Sequence, residues 1–275
     1  MLIDAKGSAA YCYTGAGRFN PALPVVVLVH GAQNDHSVWT LQCRALLAAG
    51  YAVLAPDLPG HGRSGGAALA SVEALADWLL ALCDAAGVGR ALFAGHSMGS
   101  LIALETACRA PRRAAGLALL GSTYPMTVSP ALLETARSDE ATAIDMVAGW
   151  SHAGYVPGPS SAGPGISVIN TARRLMQRMA ARNPHGLLYT DLAACNAYAN
   201  GESAAASIAC PTVLVMGTHD MMTPPRSTTL LTSAIEHAKV TRVDAGHAMM
   251  AQAPAPVCAA LIDAARAAFE AQAVS

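Results

Sequence analysis

Apolar positions in the first 120 residues alternate between two rhythms. Pro24-Val25-Val26-Val27-Leu28-Val29 is a near-continuous run of β-branched and apolar side chains. Such a run suits a strand covered on both faces, as in a parallel sheet. Tyr51 to Ala55, Ala91 to Ala94 and Ala115 to Leu120 repeat it. Helical stretches separate these runs. Ser37 to Ala49 places Trp39, Cys43, Leu46 and Leu47 on one side and stops at Gly50. Ser71 to Ala86 gathers Val72, Leu75, Leu79, Leu82 and Cys83 near one face. Ser71 stands where an N-cap belongs and Glu73 in the first turn, facing the positive helix end. Ala9 to Thr14 predicts an edge strand. Strands alternating with helices of this length build a mostly parallel α/β sheet with right-handed crossovers.

The rhythm breaks after Gly121. From about residue 124 to 207 no buried strand is evident; the pattern predicts helices over Pro130–Trp150, Ile166–Arg182 and, more weakly, Leu187–Ala199. A Gly/Pro/Ser stretch, residues 154–165, lies between the first two. Strand character resumes at Cys210 to Gly217, followed by a helix near Arg226–Glu236, a short strand Lys239–Val243, a loop Asp244–Met250 and a last helix from Pro254 to about Ala271. The expected organisation is a core of residues 1–123 and 208–275 interrupted by a helical insertion, 124–207.

With 275 residues and 53% apolar composition, the chain can bury one large core. A net charge of −1 gives no electrostatic footprint for nucleic acid or an anionic membrane. Seven cysteines without a close CxxC pair point to reduced thiols, not a disulfide framework or metal cluster. No histidines pair at HxxxH or HxH spacing, so no metal is expected, and no glycine loop has the form of a nucleotide site. Neither a leader segment nor a spanning run is evident, which predicts a soluble, cytoplasmic protein without cofactor.

Chemistry enters at Gly95-His96-Ser97-Met98-Gly99, between a predicted strand and a predicted helix. Gly-x-Ser-x-Gly in that context is a nucleophile elbow: a sharp turn exposes the serine at a helix N-terminus. A serine hydroxyl is a poor nucleophile until a base takes its proton, and histidine has the pKa for that task. A carboxylate must then orient the imidazole. Two later loops, each leaving a strand, offer Asp220 in Gly217-Thr218-His219-Asp220 and His247 in Asp244-Ala245-Gly246-His247. Parallel strands bring all three to the carboxyl edge of the sheet. Asp244 is too near His247 in sequence to reach around the ring, and Asp191 in the insertion is the other rival.

The chain resembles serine hydrolases of the α/β-hydrolase superfamily, in the branch with a helical cap. The resemblance rests on Val29-His30-Gly31, Asp57-Leu58-Pro59-Gly60-His61-Gly62-Arg63-Ser64, the elbow, Pro211 through Asp220, and Gly246-His247. It implies an α/β-hydrolase fold, with helices on both faces of the sheet and an inserted helical cap. It also implies a triad of Ser97, Asp220 and His247, with an oxyanion hole from the backbone N–H groups of Ala32 and Met98. His30, Asp57, His61 and Arg63 are expected to be structural, and the His96 side chain to point away from Ser97.

Met98, Met221, Met222, Met249 and Met250 flank triad positions, and Tyr124, Trp150 and Tyr155 stand in or beside the insertion. Tyr124, Trp150, Tyr155, Met221 and Met249 are the expected pocket lining, apolar and adaptable. The implied activity is hydrolysis of a small to medium, weakly polar ester through an acyl-serine. Thioester, lactone or C–C bond hydrolysis, perhydrolysis and a ligand receptor that keeps the triad remain open alternatives, and so does the oligomeric state.

Overall fold

In the computed structural model, which describes residues 1–15, 17–153, 167–183 and 186–270, an eight-stranded sheet runs β1-β2-β4-β3-β5-β6-β7-β8. The strands are β1 (Leu2–Ala5), β2 (Ser8–Tyr13), β3 (Val25–Val29), β4 (Ala52–Pro56), β5 (Ala91–His96), β6 (Ala114–Leu120), β7 (Thr212–Gly217) and β8 (Lys239–Val243). From β4 to β8 every pairing is parallel. The stretch expected to form the edge is one strand in, because β1 and β2 make an antiparallel hairpin. Its two-residue turn, Lys6-Gly7, has positive φ at both positions, the geometry that matches strand twist.

Helices α1 (Thr40–Ala48), α2 (Val72–Ala85) and α3 (Met98–Arg109) cross between the first parallel strands. Ser71 caps α2, its hydroxyl accepting from the Ala74 N–H. Alternation along each strand divides the core. Val25, Val27 and Val29 face the layer of α2 and α3. Val26 and Leu28 face α1 and the C-terminal helix, where fully buried Trp39, Cys43 and Leu46 meet them.

Between β6 and β7 lie α4 (Pro130–Ser138), α5 (Glu140–Trp150), α6 (Val168–Arg182), α7 (Leu187–Ala197) and α8 (Gly201–Ala206). The expected single helix over 130–150 is two. Asp139 ends α4 and caps α5, its Oδ1 accepting from the Thr142 N–H at 3.1 Å. These helices have a small core of their own, with Leu132, Ile144, Met176, Leu188 and Leu192. The chain ends with α9 (Thr229–Ala234), α10 (Met249–Gln252) and α11 (Pro254–Glu270). No helix among the described residues is long and apolar enough to cross a membrane.

A buried carboxylate ties the insertion to the core. Glu105 on α3 is 1% exposed. It accepts from Tyr198 Oη at 2.7 Å, Asn200 Nδ2 at 2.9 Å and Arg109 Nε at 2.6 Å. Burial alone would raise its pKa, but these donors hold it below the ordinary glutamate value. A depressed folded pKa stabilises the protein above the unfolded value, about 4.3, and that contribution is lost as pH falls through the folded one. Glu105→Gln is expected to lower unfolding free energy at neutral pH by about 1–3 kcal/mol. The gap from the wild type should narrow below about pH 4. Urea unfolding across that range measures both.

Candidate active site

The turn from β5 into α3 fixes Ser97 at φ 53° and ψ −122°, a conformation that costs an L-residue about 1–3 kcal/mol. Packing holds it there. The Ser97 N–H donates to the Leu120 carbonyl of β6 at 2.9 Å, and the Ser100 hydroxyl donates to the Ser97 carbonyl at 2.5 Å. A Cβ at Gly95 would overlap the Gly99 carbonyl, and one at Gly99 the carbonyls of Val29 and His30. The glycines therefore let α3 lie directly against the end of β3.

Asp220, in the turn after β7, and His247, in the loop after β8, are both about 95% buried. His247 Nδ1 lies 2.8 Å from Asp220 Oδ2. A carboxylate can only accept, so Nδ1 is the donor of this bond and Nε2 is the ring nitrogen left outside it. Three further donors converge on Asp220: the Met222 and Thr223 N–H groups, each at 2.8 Å from Oδ1, and Thr223 Oγ1 at 2.7 Å from Oδ2. Burial opposes its charge, yet the His247 imidazole and these donors drive its pKa well below the usual carboxylate range. Gly121 (φ 53°) leaves room for the ring; a Cβ there would lie 3.1 Å from His247 Nδ1. His96 Nε2 donates to the His247 carbonyl at 2.9 Å, and the two rings lie 4.6 Å apart. Burial and His247 lower the His96 pKa to about 3, which keeps it neutral.

The loop after β3 is held through His30, whose Nδ1 donates to Gly31 O at 2.8 Å and whose Nε2 accepts from the Leu58 N–H at 3.0 Å. Burial and neighbouring His61 lower its pKa to about 4. Ala32 follows, and among the described residues its N–H has no acceptor. Met98 is the first residue of α3, where N–H groups lack an intrahelical partner. Asp57 serves structure: it accepts from the N–H groups of His36 and Arg63, at 2.8 Å each, and from His36 Nδ1 at 2.7 Å. Asp35, His36 and Asp57 bring possible ligand atoms within 4.8 Å of one another, but these N–H groups already occupy both Asp57 oxygens. Asp191 is bonded to His61 on α7's inner side (2.8 Å), and exposed Asp244 pairs with His219 (2.9 Å), so neither rival acid reaches His247.

Ser97, His247, Ala32 and Gly31 line one cavity of about 510 Å³. Its walls include Val38, Leu41, Val147, Leu175, Met176, Leu188, Leu192, Met222 and Met250, and, among the described residues, no Lys, Arg, Asp or Glu. The insertion supplies much of this surface. His96 is a lining residue too, with its ring against His247. His152 joins it with Nδ1 donating to Ala148 O at 2.7 Å, and burial lowers its pKa.

The structure puts other side chains than the expected ones on this wall. Met221 is 69% exposed, and Met249 is sealed in the core beside α11; their neighbours Met222 and Met250 face the cavity instead. Adjacent residues in a turn or helix point different ways, and their identity does not say which faces inward. Tyr124 packs edge-on against Tyr198 and donates to Ala199 O at 2.7 Å, outside the cavity. Trp150 is 37% exposed and does not line it. Tyr155 lies outside the described residues.

Comparison with known proteins agrees with this architecture. The model of the "Alpha/beta hydrolase family" matches residues 26–260. Over 98 residues the chain is 43% identical to the "Dihydrolipoyllysine-residue acetyltransferase component of acetoin cleaving system" of Pseudomonas putida; the match covers 35% of this chain and 26% of that protein. It is 31% identical over 221 residues to the "Putative carbamate hydrolase RutD" of Klebsiella pneumoniae (strain 342), covering 78% and 80% of the two chains. The crystal structure of the enol-lactonase from Burkholderia xenovorans LB400 superposes with a TM-score of 0.80 at 22% identity, covering 96% of this chain and 98% of that one; at this identity the likeness is one of fold.

The Thr223 hydroxyl donates to a buried carboxylate, a bond to a charged acceptor. Thr223→Val keeps the side-chain volume and removes the donor. It is expected to lower unfolding free energy by about 1.5–3 kcal/mol, read from urea denaturation at neutral pH.

Proposed function

Because the chain belongs to the alpha/beta hydrolase family, we propose that it hydrolyses neutral carboxylic esters of small to medium size through a triad of Ser97, His247 and Asp220. One observation carries this: the hydrogen-bonded His247–Asp220 pair and the strained Ser97 elbow open onto the same apolar cavity. In this reading residues 124–207 form the cap over a core of 1–123 and 208–275.

His247 Nε2 takes the Ser97 proton as Oγ attacks the acyl carbonyl, and the carbonyl π electrons move onto oxygen. The N–H groups of Ala32 and Met98 accept that developing charge as hydrogen-bond donors, each worth about 2.7–4 kcal/mol in comparable sites. The tetrahedral species collapses, the alcohol leaves with the proton from His247, and an acyl-serine remains. Water then attacks the acyl carbonyl while giving its proton to His247. Collapse returns that proton to Ser97 and frees the carboxylic acid. Asp220 keeps the imidazole in the tautomer these steps require and stabilises its charged form.

The cavity favours a neutral substrate. A carboxylate entering it would be desolvated with no Lys or Arg partner among the described lining residues. Its volume lies in the range of small-molecule sites. Thioesters and lactones present the same carbonyl to the same groups.

A p-nitrophenyl ester series from acetate to dodecanoate, run beside mono-p-nitrophenyl succinate, measures this. The rate is expected to peak at one neutral chain length, with kcat/KM for the anionic ester at least about tenfold lower, a cost of about 1.4 kcal/mol. Ser97→Ala should reduce kcat by roughly 10³-fold or more, and Asp220→Asn by about 10⁴-fold. A wild type no faster than background, or a Ser97→Ala enzyme that keeps the rate, overturns the proposal.

A further inference from the structure

Gln33 stands immediately after Ala32 and has positive φ, at 50°, as Lys6 and Ser97 do. Lys6 sits in an exposed hairpin turn, whereas Gln33 is fully buried. Left-handed backbone is unfavourable for an L-residue, so its surroundings must hold it. Both donor nitrogens of Gln33 are bonded to carboxylates of the inserted helices. Its N–H donates to Asp191 Oδ2 of α7 at 2.7 Å, and its Nε2 donates to Glu140 Oε1 of α5 at 2.9 Å.

Each acid is itself fixed. Asp191 is 1% exposed and also accepts from His61 Nε2 at 2.8 Å, while His61 Nδ1 donates to Pro59 O at 3.0 Å. Glu140 Oε1 also accepts from the Leu188 N–H at 3.2 Å, which links α5 to α7. Ala32 packs against the apolar core of the insertion. Within the loop itself His30 Nδ1 bonds Gly31 O at 2.8 Å, while the bonds on either side of Gln33 are longer: Asn34 N–H to Gly31 O at 3.3 Å and Asn34 Nδ2 to Ala32 O at 3.1 Å.

We propose that Asp191 and Glu140, two acids of the insertion, are positioning residues for the oxyanion hole: by gripping the backbone and side-chain nitrogens of Gln33 they aim the Ala32 N–H into the cavity. The inserted helices thereby complete the catalytic site as well as roofing it. Charge-assisted bonds suit this task because they are short and directional. A donor displaced by about 1 Å loses catalysis out of proportion to any loss of substrate binding, by as much as about 10²-fold. This inference rests on the ester-hydrolase reading above, in which the Ala32 N–H faces the developing oxyanion.

Asp191→Asn and Glu140→Gln remove the charges at nearly constant shape. Glu140 is only part-buried, so its variant guards against a folding failure at Asp191. On the best neutral p-nitrophenyl ester, each is expected to lower kcat by about 10- to 100-fold with KM within about twofold. Affinity for a trifluoromethyl ketone of matching chain length, whose adduct on serine carries an oxyanion, should fall by the same factor as kcat/KM. Affinity for the corresponding neutral secondary alcohol, which has no carbonyl, should be unchanged. Equal losses for ketone and alcohol, or kcat retained in both variants, overturn the proposal.

Hydrogen exchange gives a readout independent of turnover. The Gln33 amide should exchange faster in Asp191→Asn while amides of β3 keep their protection. Unchanged exchange at Gln33 overturns the clamp even where esters are hydrolysed. A wild type that hydrolyses no ester overturns the reading beneath it, and the proposed catalytic role with it, whatever the exchange result.

Discussion

The backbone at Ser97 is the constraint around which the site is arranged. A left-handed serine between strand and helix survives only where neighbours over-determine it. Here the N–H is bonded into β6, the carbonyl is capped by Ser100, and helix α3 presses against the end of β3 across two glycines. The same close approach sets Ser97, the residue that leads into α3, on the cavity wall. The unpaired amides of its first turn therefore come with the nucleophile and need no separate side chain.

Burial gives the remaining polar groups their definition. Asp220, Asp57, Glu105 and Asp191 are each at least about 95% buried, and each is surrounded by donors. In a low-dielectric interior an unpaired carboxylate is costly, while a fully bonded one fixes the geometry of everything that donates to it. That is why the His247 ring has one orientation and why the loop 57–64 holds its shape. The insertion joins this network. Arg182 donates to Gly62 O at 2.9 Å, and the Ala248 N–H, next to His247, donates to Ser151 O at 2.7 Å.

Much of this was legible along the chain, because parallel strands repeat a strong apolar signal and must leave their loops at one edge. The runs at Val25, Leu92 and Val213 became central strands, and the loops after them carry Ala32, Ser97 and Asp220. Weaker signals failed. β1 has only one buried residue, Ala5, so no apolar pattern announced it. The break at Asp139 was hidden within a continuous helical periodicity, since one aspartate ends one helix and caps the next. The short α8 escaped notice for lack of length.

The sequence by itself determined the alternation that builds the sheet, the glycines the elbow needs, and which serine, aspartate and histidine follow strands at its carboxyl edge. These follow from local sterics and from a periodicity that any window of residues displays. The tertiary structure decided which side chains face the cavity: Met222 and Met250 in place of Met221 and Met249, with Tyr124 and Trp150 outside. It also decided that Asp191 and Glu140, more than a hundred residues from Gln33, hold the loop that carries Ala32. Orientation within a turn and pairing across a domain depend on how separate elements pack, and no local pattern of residue types encodes that.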